Sequence, residues 1–260
     1  MRRTAVACAA LLVIAGCSAS PDRFADARAL ADAAIAATAA GHSARFTTDV
    51  TAGAVVSHGQ GEAAFGPAGT ALRMTTDYLG EPLELRLVAQ KLYAKVPSTA
   101  LDQVTDHKPW VQVSPDGSDP FSQVLGGSLA QLAEQNDPAR TLDQVRTAGT
   151  LASSDPTTLD GTDATHYRVD VDLAHLGSQL PAGLPADAIT QLGGTGTKVP
   201  LDLWLDSDDR PLQLVLDLSP ALHASGAQTA ARITAHYSDW GTPITVAAPA
   251  ADEVGTFLGG

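Results

Sequence analysis

The sequence predicts an α+β protein, with one large curved antiparallel β-sheet covered by a few helices and an apolar cavity between the layers. Three observations predict it. Segments of strict apolar/polar alternation recur along much of the chain, as expected of strands with one wet and one apolar face. Helical periodicity is confined to three or four stretches, few for so wide an apolar face. The chain has 260 residues and is 44% hydrophobic, which suits a single large core.

The N-terminus is read first as an export signal. Met1-Arg2-Arg3 precedes an uncharged run, Ala5 to Ala15, and then Gly16-Cys17, giving a positive n-region, an apolar h-region and a small-residue junction. As a helix the run extends about 16 Å, roughly half of what a bilayer core requires. Residues 1–16 are therefore expected to be a signal peptide, and Thr4-Ala5-Val6 after the arginines favours ordinary secretion over the twin-arginine route. Ile14-Ala15-Gly16-Cys17 resembles the bacterial lipobox, which implies cleavage before Cys17 and a diacylglyceryl group on its sulfur, usually with an acyl chain on the new amino terminus. Two or three chains on one residue give durable anchoring. The expectation is a protein lipid-anchored to the outer face of the cell membrane, in the cell envelope. Residues 17–21 would form a lipidated N-terminus and short tether, and residues 22–260 a single domain.

From Asp22 to Ala40, Phe24, Ala27, Leu30, Ala31, Ala34, Ile35 and Thr38 recur at helical spacing, with Asp22 as cap and Gly41 as stop. Eight alternating segments follow, at 46–50, 72–78, 83–87, 92–96, 167–173, 201–205, 212–218 and 233–237, and the whole sheet is expected to hold about nine or ten strands. Candidate covers are a helix from Asp119 through Gln135, a continuation near Thr141 to Thr147, and a Gly/Pro-rich stretch from Ala174 to Gly196. Val50, Leu72, Met74, Leu85, Leu87, Val169, Val171, Leu203, Leu205, Leu214 and Leu216 are the strand positions expected to line the cavity, with Leu125, Leu129 and Leu132 from the helix. Each serves equally well as ordinary core.

Composition excludes some function classes. With 16 basic residues against 29 acidic ones, a net charge of −13 and only four lysines, the chain has no general grip on phosphate backbones, so nucleic acid is not expected as a partner. The only cysteines are Cys8, in the expected leader, and Cys17, leaving the domain none for a disulfide or thiolate metal site.

The catalytic motifs fail in turn. None of the seven histidines pairs at i, i+4 around a glutamate. Gly126-Gly127-Ser128-Leu129-Ala130 lacks the closing glycine of a nucleophile elbow. Gly193 to Lys198 resembles a phosphate loop until Val199 replaces the magnesium-binding Ser or Thr. Arg210 and Pro211 break the calcium-loop pattern begun at Asp206, Asp208 and Asp209. Glu81 and Glu84 read as solvated carboxylates on a strand and its turn. No enzyme, metal or cofactor is expected.

The order of parts resembles the mycobacterial LppX and LprAFG lipoproteins, a family of LolA-like fold. The residues that carry the resemblance are the lipobox at Ile14 to Cys17, the strand Val199 to Asp206 with its turn Ser207 to Pro211, and the terminal Tyr237-Ser238-Asp239-Trp240-Gly241-Thr242-Pro243-Ile244-Thr245-Val246 through Ala248-Pro249. The resemblance implies a half-barrel covered on its concave face by helices. It also implies binding of acylated lipids or glycolipids in an apolar cavity and their carriage across the periplasm-like space, with a membrane transporter as a candidate partner. The alternative is a closed-core structural or signalling lipoprotein that binds a protein partner, for which an exposed apolar patch is expected.

Overall fold

A computed structural model describes residues 23–66, 69–78, 81–105, 107–113, 136–176 and 196–257. The first helix, α1 (Ala27–Gly41), starts later than its periodicity suggests. Asp26, not Asp22, is the N-cap, its carboxylate accepting from the Ala29 amide at 2.8 Å, and His42 caps the far end at φ 60°. Ala27, Leu30, Ala31 and Ala34 are buried along one face, and the Thr38 hydroxyl is satisfied inside the helix by Ala34 O at 2.8 Å. Small side chains on that face let α1 lie close to its neighbours.

The other α-helices among the described residues are the short α2 (Leu101–Val104), α3 (Pro138–Ala148) and α4 (Ser219–Ala224). Asp137 caps α3 and Pro138 fills its first turn, where a missing amide hydrogen costs nothing. This helix contains the predicted 141–147 continuation. α1 and α3 pack against each other, and α3 buries Leu142 and Val145. The helix expected at 119–135 and most of the 174–196 stretch lie outside the described residues.

Among the described residues twelve strands form one open sheet: β1 (Ser43–Ala52), β2 (Val55–Gly66), β3 (Gly69–Tyr78), β4 (Glu81–Val88), β5 (Lys91–Lys95), β6 (Trp110–Val113), β7 (Gly149–Leu159), β8 (Thr162–Asp172), β9 (Lys198–Leu205), β10 (Pro211–Asp217), β11 (Ala231–Ser238) and β12 (Val254–Gly255). Their spatial order is β12-β6-β5-β4-β3-β2-β1-β11-β10-β9-β8-β7. Two antiparallel meanders, β1 to β6 and β7 to β11, are thus joined where β11 returns to pair with β1. The result is the expected α+β half-barrel, with more strands than the nine or ten expected.

The strands not anticipated have physical reasons for being hidden. β2 carries Gly59 and Gly61 at inward positions where alternation calls for apolar side chains. A Cβ on Gly61 would lie 2.7 Å from the Phe46 ring and 2.3 Å from Arg73 O, so neighbouring residues already fill that space. β7 is an edge strand rich in Ser and Thr, with a register irregularity between Leu151 and Ser153.

The C-terminal segment wraps the outer face. Gly241 N bonds to Ser43 O at 2.9 Å, and Ser43 Oγ donates to Thr242 O at 2.5 Å. Farther on, Lys108 Nζ donates to Asp252 O at 2.6 Å, and β12 adds to β6 in parallel. The outer face beneath is polar. Arg73 pairs with Glu62 at 2.6 Å and Arg86 with Glu84 at 2.9 Å, while the Arg86 guanidinium lies 4.3 Å from the Trp110 ring centre. One wet face and one dry face follow from the period of two.

Candidate functional site

The register gathers the predicted strand positions on one face. Val50 stands opposite Ile233, Ile233 opposite Leu216, Leu216 opposite Leu201, and Leu201 opposite Val169. The next row runs Thr48, Ala235, Leu214, Leu203, Tyr167. On the other wing Leu72 faces Leu87 and Met74 faces Leu85, and these rows continue to Leu92 with Val113 and to Ala94 with Val111. Val171 lies opposite Val199, and Leu205 opposite Thr165.

Leu72, Met74, Leu85, Val169, Val171, Leu203, Leu205, Leu214 and Leu216 are buried members of one continuous cluster, and Leu87 packs partly buried against it. Val50, nearer the β1–β2 turn, is half-buried and outside that cluster. Leu125, Leu129 and Leu132 lie outside the described residues, as does Cys17. The same face carries further residues. Phe46, Leu201 and Ala235 share its parity and were legible by the same alternation, whereas Leu30, Leu142 and Val145 come to it from α1 and α3.

One polar feature interrupts this apolar face. Asn136, the sole asparagine of the chain and fully buried, accepts from the Thr48 hydroxyl and directs its amide Nδ2 to Met74 Sδ at 3.5 Å. Beside it the Asp137 carboxylate accepts from the Thr70 hydroxyl and, at 2.9 Å, from the Ala139 amide. These bonds fasten the start of α3 to β1 and β3. Nothing in the sequence signalled Asn136, because a polar residue outside any periodic segment reads as loop.

Tyr237 stands close by on β11, opposite Phe46, with its ring centre 6.0 Å from that of Trp240. It is 3% exposed, and its hydroxyl oxygen is buried with no hydrogen-bond partner among the described residues. Burial pushes its pKa well above the usual tyrosine value, and the Asp137 charge adds to that.

A cleft of about 610 Å³ opens elsewhere, on the outer side, between Tyr93 and Gln112 of the sheet and Pro249, Val254 and Phe257 of the C-terminal segment. Among the described residues no three His, Cys, Asp or Glu side chains are placed to hold a metal ion.

The predicted turn after β9 is tightly built. Asp206 Oδ1 accepts from the Asp208 and Arg210 amides, both at 2.9 Å, and Oδ2 from Arg210 Nε at 2.8 Å. Arg23, just before α1, reaches this turn through Asp209 Oδ2 and Ser207 O, each at 3.1 Å.

No protein-family model matches the chain, and no curated protein sequence matches it. Solved structures do. Lipoprotein LppX of Mycobacterium tuberculosis has a TM-score of 0.51 at 14% identity, over 85% of this chain and 98% of that one. LprF of Mycobacterium bovis has a TM-score of 0.47 at 17% identity, over 86% of this chain and 97% of that one. Likeness at such identity is likeness of fold. The chain has the fold of the mycobacterial lipoprotein LppX, an open antiparallel half-barrel with helices against its inner face.

Proposed function

We propose that this protein is an envelope lipoprotein that binds acylated lipids or glycolipids between the inner face of its sheet and the covering helices, and carries them across the periplasm-like space. The observation that carries this reading is the breadth of the apolar face: on one wing the rows from Val111 and Val113 on β6 to Met74 and Leu72 on β3, and on the other the row from Val50 on β1 to Val169 on β8, hold no charged residue. α1 meets this face largely through alanines, which fill little volume. Each lipid methylene moved out of water contributes about 0.8 kcal/mol, so acyl chains would bind such a surface without polar recognition.

The closed-core alternative calls for an exposed apolar patch. Val56, at 55% exposure, stands alone as an exposed large hydrophobic residue among the described ones. In this proposal residues 1–16 are removed, Cys17 carries the lipid anchor and residues 22–260 form the carrier domain.

The test is lipid uptake by delipidated protein. The domain from Ser18 onward, stripped with organic solvent and refolded, should take up dioleoylglycerol from donor vesicles at about one molecule per chain. Failure to take up this lipid or a triacylated one, by protein with native circular dichroism, would refute the carrier reading.

A further inference from the structure

The Tyr237 hydroxyl is a polar atom with no structural employment. It is buried and unpartnered, on the same face as the apolar rows. A phenylalanine would fill the same space without stranding a donor, and a buried donor left unpaired weakens a fold. Its polar neighbours are already occupied. Thr48 and Asn136 bond to each other, and the Asp137 oxygens take the Thr70 hydroxyl and the Ala139 amide.

We infer that the Tyr237 hydroxyl is a ligand-reading group, which donates its hydrogen to a neutral carbonyl acceptor, the ester of an acylated lipid lying on the inner face. This deepens the carrier reading and rests on it. Three points select that chemistry. The hydroxyl keeps its proton, because both burial and the Asp137 charge oppose ionisation, so it acts as a donor. The same negative charge, close to the site and poorly screened, disfavours a carboxylate or phosphate there. The surroundings are Phe46, Trp240 and the aliphatic rows, which suit acyl chains on either side of an ester.

The experiment compares 1,2-dioleoylglycerol with its diether analogue, which keeps the chains and the free hydroxyl but lacks both carbonyls, and with oleate. Binding to the delipidated domain is read by native mass spectrometry with a fixed internal competitor. One hydrogen bond to a neutral acceptor predicts that wild type prefers the diester over the diether by about fivefold. Tyr237→Phe should lose that preference, leave diether binding unchanged, and melt at the same temperature as wild type or higher.

Equal binding of diester and diether by wild type would overturn the assignment while leaving the carrier reading standing. So would a preference that survives in Tyr237→Phe, or tighter binding of oleate than of the diester. A large drop in melting temperature for Tyr237→Phe would show that the hydroxyl has a structural partner, and would overturn the assignment as well. Binding of no lipid by either protein would bring down both readings together.

Discussion

Replacing Asn136 with leucine tests how the helical layer is fastened to the sheet. Asn136 is 0% exposed and Thr48 2% exposed, so loss of the amide oxygen leaves the Thr48 hydroxyl in a dry site without its acceptor. A buried donor stranded in this way costs about 1–3 kcal/mol. Leucine shares asparagine's branching at Cγ with bulkier, apolar ends, and its contact with Met74, now a weak amide–sulfur bond at 3.5 Å, becomes plain packing. The expected destabilisation of Asn136→Leu is therefore about 2 kcal/mol, or about 6 °C in Tm for a domain of this length. Thr48→Val in the same background removes the stranded hydroxyl and should recover about 1 kcal/mol, a coupling that urea unfolding of the four proteins in a double-mutant cycle would measure. An Asn136→Leu variant as stable as wild type, or single effects that simply add, would refute the claim that this pair pins α3.

Other expectations follow from the same contacts. Gly61→Ala pushes a methyl into Arg73 O and the Phe46 ring, and should cost about 1–3 kcal/mol in chemical denaturation; an unchanged midpoint would mean that β2 does not lie where the register puts it. Leu30→Ala, at a fully buried position on α1, should cost about 2–5 kcal/mol, and a loss below 1 kcal/mol would show that α1 does not seal the core.

Burial raises the Glu84 pKa, but bonds and charges from Arg86 and Lys95 outweigh it and hold the carboxyl below its usual 4.5. A lowered acid pKa gives stability that is present above the unfolded value and lost as pH falls through the folded one. The Tm advantage of wild type over Glu84→Gln should therefore shrink between neutral pH and about pH 3, and an advantage that grew on acidification would contradict the assignment.

Much of this architecture was legible because a half-solvated sheet writes its period into the chain. The run Leu201-Asp202-Leu203-Trp204-Leu205 alternates without a break and became β9, with Leu201, Leu203 and Leu205 buried and Asp202 outward, paired with His166 at 2.7 Å. Where neighbours supply the packing, the signal vanishes. The inward positions Gly59 and Gly61 of β2 are empty because Met74 and Phe46 reach across them. β12 owes its existence to a long-range parallel pairing with Trp110 and Val111, which no local pattern encodes.

The site was legible to the same degree. Parity alone places Leu72, Met74 and Leu203 on one face, whereas Asn136 and the unpartnered hydroxyl of Tyr237 acquire their meaning only in three dimensions. Helix boundaries behaved similarly. The periodicity points to Asp22 as the cap, whereas the bond from the Ala29 amide puts the cap at Asp26, one turn later.

Whether the inner face holds lipid is measured most directly by native mass spectrometry of the domain from Ser18 onward, purified without detergent from an actinobacterial host, followed by extraction. The account predicts an adduct of defined mass at about one per chain, released by organic solvent and carrying ester-linked acyl chains. A clean apo mass from that host, with no adduct after incubation with diacyl or triacyl lipid, would contradict it.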